Sequence, residues 1–148
     1  QIAFNVIPQI DKFMDNGYTK EEMKMVWETK KILDNSIEVN PTTVRVPVFY
    51  GHSEAVHLEL AQKITANKVK DIFMDNSNDV VLIDEHKDGG YPCAANECED
   101  SNDVFVGRVR EDISIPNGIN LWVVSNNIRK GAAYNSIQIA ELLIKNYL

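Results

Sequence analysis

The stretch Asp103-Val104-Phe105-Val106-Gly107-Arg108-Val109-Arg110, followed by Ile119-Asn120-Leu121-Trp122-Val123-Val124-Ser125, decides the fold class. Both segments read as strands from their β-branched and aromatic content. They follow one another with no helical pattern between them, which breaks the alternation a parallel βα fold requires. Working back, the continuous apolar run at 80–83 reads as a buried strand. In 42–50, Val44, Val46, Val48 and Tyr50 alternate with Arg45, Pro47 and Phe49, predicting another strand. Gly51-His52-Ser53 breaks it, and 55–60 resumes the alternation, with His57 and Glu59 opposite Val56, Leu58 and Leu60.

Three helices complete the pattern. Thr19-Lys20-Glu21-Glu22 has the form of a capping box and opens a helix over 20–33, with Met23, Val26, Trp27 and Leu33 on its apolar side. A second helix is predicted over 67–76 and a third over 131–148, the last with an apolar belt wider than one packed face needs. Residues 85–101, with Gly89-Gly90 and Pro92, read as loop. At least five strands and three helices in this order predict an α+β domain: a mixed, mainly antiparallel sheet with helices packed on it.

The length of 148 residues, with 44% hydrophobic and 25% charged, suits one globular domain. A formal charge of -7 disfavours nucleic acid and anionic membrane as partners, so an anionic ligand would need local cations. No apolar run has the length of a membrane span and no basic-then-apolar leader opens the chain, which predicts a soluble, cytoplasmic protein. Gln1 leads directly into apolar sequence, as in a piece cut from a longer chain. Cys93 and Cys98 have no nearby His or second pair to complete a zinc site, so no metal is expected; they read as two reduced thiols in a surface loop. A Gly-rich phosphate loop is missing from the sequence.

Arg45 and His52 are the most informative candidates. An Arg on a buried strand needs an anion, which an internal acid or a ligand would supply. His52 sits in a turn where its ring can face a cleft and exchange protons near neutral pH; the alternative is a solvated ring. Glu21 and Lys24, three apart on a helix, form either an ordinary surface pair or part of a site. His57 and His86 read as structural or solvent-exposed.

Four ordered blocks carry a family resemblance: Phe4-Asn5-Val6-Ile7-Pro8-Gln9-Ile10; Gly17-Tyr18-Thr19-Lys20-Glu21-Glu22-Met23-Lys24; Arg45-Val46-Pro47-Val48-Phe49-Tyr50-Gly51-His52-Ser53-Glu54; and Gly131-Ala132-Ala133-Tyr134-Asn135-Ser136. They resemble the C-terminal substrate-binding and dimerisation domain of bacterial aspartate-semialdehyde dehydrogenases, whose fold glyceraldehyde-3-phosphate dehydrogenases share. The resemblance implies that residues 1–148 are that domain, without the N-terminal NADP-binding domain. It implies His52 as general acid/base, Arg45 as clamp of the substrate α-carboxylate, Glu21 opposite the substrate amino group, Lys24 near phosphate, and Asn127 at the NADP cofactor. In that family a cysteine thiolate attacks L-aspartyl 4-phosphate, phosphate leaves, and hydride from NADPH releases the semialdehyde, a step toward lysine, threonine, methionine and diaminopimelate.

Both the dinucleotide loop and the nucleophilic cysteine motif are missing, and neither Cys93 nor Cys98 matches that motif. The chain alone is therefore expected to be inactive, and to form a homodimer through its sheet. The belt of the last helix would face the absent cofactor domain. Two other readings remain: a related N-acetylglutamyl-phosphate reductase, whose blocked amine would leave Glu21 without purpose, and a non-catalytic dimerisation module.

Overall fold

The computed structural model describes residues 1–75 and 80–148, and these divide into two compact units, Gln1–Pro47 and Val48–Leu148. The last position of the predicted 67–76 helix, Asn76, lies outside the described residues.

The first unit is organised around α1, Lys20–Ile32. Its capping box is complete: the Thr19 hydroxyl accepts from Glu22 N at 3.3 Å, and the Glu22 carboxylate accepts from Thr19 N at 2.8 Å. Glu21 and Glu22 in the first turn and Lys30 and Lys31 in the last complement the helix dipole. The apolar face predicted for this helix is only partly realised. Met23 and Val26 are half-buried, whereas Trp27 is 49% and Leu33 72% exposed, and the buried residue of the helix is Glu22. The unit is tied together by polar contacts: Glu22 also accepts from Thr43 N at 2.9 Å, Tyr18 donates to Asn40 at 2.9 Å, and Lys30 pairs with Glu38.

The strand expected over 42–50 is not formed. Only Arg45 pairs, in an isolated antiparallel bridge with Ile7 (Ile7 N to Arg45 O 3.0 Å, Arg45 N to Ile7 O 2.8 Å). Alternation supplies a face, but a strand also needs a partner along its length, and Pro47 has no N–H to offer one. Val44, Val46 and Val48 are accordingly exposed.

The second unit is built on a four-stranded sheet in the order β1-β4-β3-β2, from β1 (His52–Glu59), β2 (Val80–Leu82), β3 (Val104–Glu111) and β4 (Gly118–Ser125). β1/β4 and β4/β3 are antiparallel and β2/β3 is parallel, so the sheet is mixed and mainly antiparallel. β1 starts earlier than the alternation at 55–60 suggested, because His52 already pairs with Ser125. One face carries Val106, Val109, Ile119 and Leu121 against Val69 and Phe73 of α2 (Ala66–Asp75). The other carries Phe105 and Val124 against Ala94 and Cys98, on and beside the short α3 (Ala94–Glu97) inside the predicted loop.

That loop is held close by Trp122, whose indole N–H donates to Pro92 O at 3.0 Å, and by Gly107, where a Cβ would lie 2.3 Å from Ile83 O. A bulge between Gly107 and Arg110 on β3 places Arg108 at φ 54°. A π-helical turn, Arg129–Ala133, leads into α4, Tyr134–Tyr147, none of whose side chains is buried. Among the described residues no helix is long and apolar enough to cross a membrane.

Candidate active site

Glu21, Lys24 and Arg45 belong to the first unit, His52 and Asn127 to the second. Glu21 and Lys24 face the same side of α1 and form an ion pair at 3.1 Å; the Glu21 carboxylate raises the Lys24 pKa, so the amine is cationic throughout the neutral range. Arg45 differs from expectation. It is exposed rather than buried on a strand, and among the described residues its guanidinium makes no ion pair. Its backbone is nevertheless fixed by the bridge to Ile7, and Thr43, two residues earlier, is tied to the first turn of α1 through Glu22. Two backbone N–H donors hold that carboxylate below the usual range, first Thr19 and then Thr43.

His52 is the first residue of β1 and is exposed. Gly51 before it has φ +82°, a left-handed turn conformation, and its N–H donates to Asn127 Oδ1 at 3.2 Å. The structure thus brings Asn127 to the turn that presents His52, through two segments remote in sequence. The Asn127 amide nitrogen stays available for a further acceptor among the described residues. Its neighbour Asn126, 4% exposed, builds this corner: its amide donates to Cys98 O and Glu99 O, and its Oδ1 accepts from Ile128 N and Arg129 N, each at 2.9 Å.

Sequence reasoning missed Asn126, for which the Asn126-Asn127 pair at a strand end was a visible signal; it read Glu22 as the capping-box partner but not its second bond, from Thr43 N.

His57 is structural: its Nδ1 lies 3.1 Å from Asp112 Oδ2 and 3.3 Å from Asn120 Oδ1, joining β1 to the end of the β3–β4 hairpin. His86 is exposed. Cys93 and Cys98 are free thiols, but they are not equivalent surface thiols. Cys93 is half-buried, and Cys98 is fully buried in the core, where desolvation raises its pKa and makes it a poor nucleophile. Among the described residues no group of three or more His, Cys, Asp or Glu is placed to hold a metal. An open groove of about 310 Å³ runs beside Tyr91, Cys93, Arg108, Arg110 and Trp122; none of the five candidate residues lines it.

Residues 1–130 match the family model described as semialdehyde dehydrogenase, dimerisation domain. The chain belongs to that family. All five candidate residues fall within the matched region. The chain is 62% identical over 148 residues to the aspartate-semialdehyde dehydrogenase of Shewanella violacea, covering 99% of this chain and 43% of that protein. It superposes with a TM-score of 0.93 and 58% identity on the crystal structure of aspartate semialdehyde dehydrogenase II from Vibrio cholerae complexed with ASA, over 100% of this chain and 43% of that one. The Candida albicans aspartate semialdehyde dehydrogenase with NADP aligns at a TM-score of 0.74 and 26% identity, over 96% of this chain and 45% of that one. The chain thus spans 43% of the length of the bacterial relative, and the α+β fold of the dimerisation domain is the part it supplies.

Proposed function

We propose that this chain is the C-terminal, substrate-binding and dimerising part of an NADP-dependent aspartate-semialdehyde dehydrogenase. That enzyme converts L-aspartyl 4-phosphate to L-aspartate 4-semialdehyde, acts as a cytoplasmic homodimer and feeds lysine, threonine and methionine synthesis. The observation carrying the reading is the 58% identity at a TM-score of 0.93 to a structure complexed with ASA, extending over the whole chain.

The chemistry of the individual residues supports it. The substrate carries a carboxylate, an ammonium and a phosphate. Arg45, cationic and without an internal partner among the described residues, has the planar fork that fits a carboxylate. Glu21 and Lys24, paired with each other at 3.1 Å, are complementary to a ligand bearing both an ammonium and a phosphate. Because both are partly exposed, exchanging their mutual contact for the ligand's charges demands little.

A thiolate from the cofactor-binding half is the nucleophile in this reading. His52 takes the thiol proton as base as the sulfur attacks the acyl carbon and phosphate leaves. After reduction of the thioester it protonates the oxygen of the tetrahedral adduct and takes that proton back as the C–S bond breaks, so that aldehyde and thiolate separate. The open amide of Asn127 fits a carbonyl or phosphate acceptor of NADP, which supplies hydride when bound. The remaining cofactor contacts belong to the N-terminal half.

The test is made in the complete enzyme. His52→Ala should reduce turnover by roughly 100-fold or more, the scale of a general acid/base, while Glu21→Gln should raise the KM for the amino-acid substrate and leave that for NADPH unchanged. If His52→Ala turns over at the parent rate, the assignment of the acid/base is wrong.

A further inference from the structure

The buried thiol of Cys98 has no part in the chemistry proposed above, yet it lies directly against the turn that presents His52. A Cβ built on Gly51 would fall 2.4 Å from Cys98 Sγ, 2.8 Å from Cys98 Cβ and 2.9 Å from Ser125 O. Gly51 therefore lies against both the Cys98 side chain and the end of β4, with no space there for a methyl group. We propose that Cys98 is a positioning residue for His52: its side chain is the surface on which the Gly51-His52 turn rests, and its size sets where the imidazole sits.

Three observations make Cys98 a fixed support rather than a mobile filler. Its side chain is fully buried with Ala94, Phe105 and Val124. Its backbone is held at both polar atoms, the N–H donating to Ala94 O at 3.1 Å and the carbonyl accepting from Asn126. Asn126 in turn caps the chain leaving β4, beside Asn127, which receives the Gly51 N–H. The turn is thus held by three contacts: the Cys98 side chain, the His52–Ser125 pairing and the Asn127 amide oxygen. A small side chain with one polarisable atom fits this place: serine would bury a hydroxyl, and a branched residue would drive into Gly51. Burial also keeps the thiol protonated, so a cysteine here is compatible with a neighbouring site that needs a different thiolate.

The importance of His52's position rests on the acid/base reading given above, so the experiment separates the two. The Gly51 amide and the His52 imidazole resonances of the 148-residue chain are compared by NMR at one fixed pH in Cys98→Val, Cys98→Ala and Phe105→Leu. Phe105 belongs to the same core cluster but does not lie among the nearest neighbours of Gly51, and it controls for loss of packing. Cys98→Val should move both the Gly51 amide and the His52 imidazole resonances. Cys98→Ala, which removes the Sγ on which the turn rests, should also move them, though less than Cys98→Val, and Phe105→Leu should lower the melting temperature without moving them.

In the complete enzyme Cys98→Val should lower kcat by roughly 10- to 100-fold, the range a displacement approaching 1 Å produces, with KM little changed. If Cys98→Val leaves the two resonances in place, or if Phe105→Leu moves them as far, the positioning role is wrong. If the resonances respond as stated but His52→Ala retains activity, the acid/base reading fails and the positioning of the turn stands.

Discussion

Replacing Arg45 by Lys separates a structural arginine from a substrate clamp, because the two roles differ in magnitude. Arg45 is exposed, its guanidinium has no ion-pair partner among the described residues, and its contribution to the first unit is the pair of backbone bonds with Ile7 at 2.8 and 3.0 Å. Lysine keeps that backbone and the charge. The expected stability change is therefore within about 0.5 kcal/mol, as for a surface substitution away from special features, and the melting temperature should move by no more than about 2 °C.

The functional loss should be much larger. Lysine cannot present two parallel donors to a carboxylate, so one charge-assisted hydrogen bond is lost, worth about 1.5–3 kcal/mol, or roughly 10- to 150-fold in kcat/KM. The assay is steady-state kinetics of the complete enzyme, following NADPH absorbance, alongside a calorimetric melt of the same samples. A kcat/KM within a factor of two of the parent would refute the clamp. A melting temperature lowered by about 8 °C would show instead that the side chain holds the fold.

Gly107→Ala brings a methyl within 2.3 Å of Ile83 O and 2.5 Å of Pro92 Cδ, neither of which is a flexible chain end, and should destabilise by about 3 kcal/mol in a chemical melt with a changed Trp122 environment; an unchanged midpoint would contradict the close approach. Glu22 has a folded pKa lowered from 4.5 by the Thr19 and then Thr43 N–H donors, so its stabilising effect is present above that value and is lost as pH falls through the folded pKa. Glu22→Gln should therefore lower the melting temperature at pH 7 and narrow the gap to the parent below about pH 4; a constant gap would show that the carboxylate's charge is irrelevant. The 148-residue chain alone should show no phosphate-dependent reduction of NADP with aspartate semialdehyde, and a rate above the blank that disappears in His52→Ala would require Cys93 or Cys98 to act as the nucleophile.

The sequence by itself determined the local units and the family. The capping box at Thr19 and Glu22 places the start of α1 because its partners are three residues apart, and the strands at Val104–Glu111 and Gly118–Ser125 are legible because their composition suits pleated, packed backbone. The blocks around Glu21, Arg45 and His52 carry the resemblance, and hence the site assignment, without any geometry.

Tertiary structure alone decided which alternating segment becomes a strand. Residues 42–50 and Val104–Glu111 both present apolar faces, yet only the second finds neighbours on both sides, since pairing depends on distant segments that no local pattern encodes. It also decided that the buried position of α1 is an acid bonded to Thr43, that Cys98 is core rather than loop surface, and that Asn127 meets the turn before His52. Each of these is a contact between residues far apart in sequence, where burial is set by what packs above a residue rather than by its own polarity.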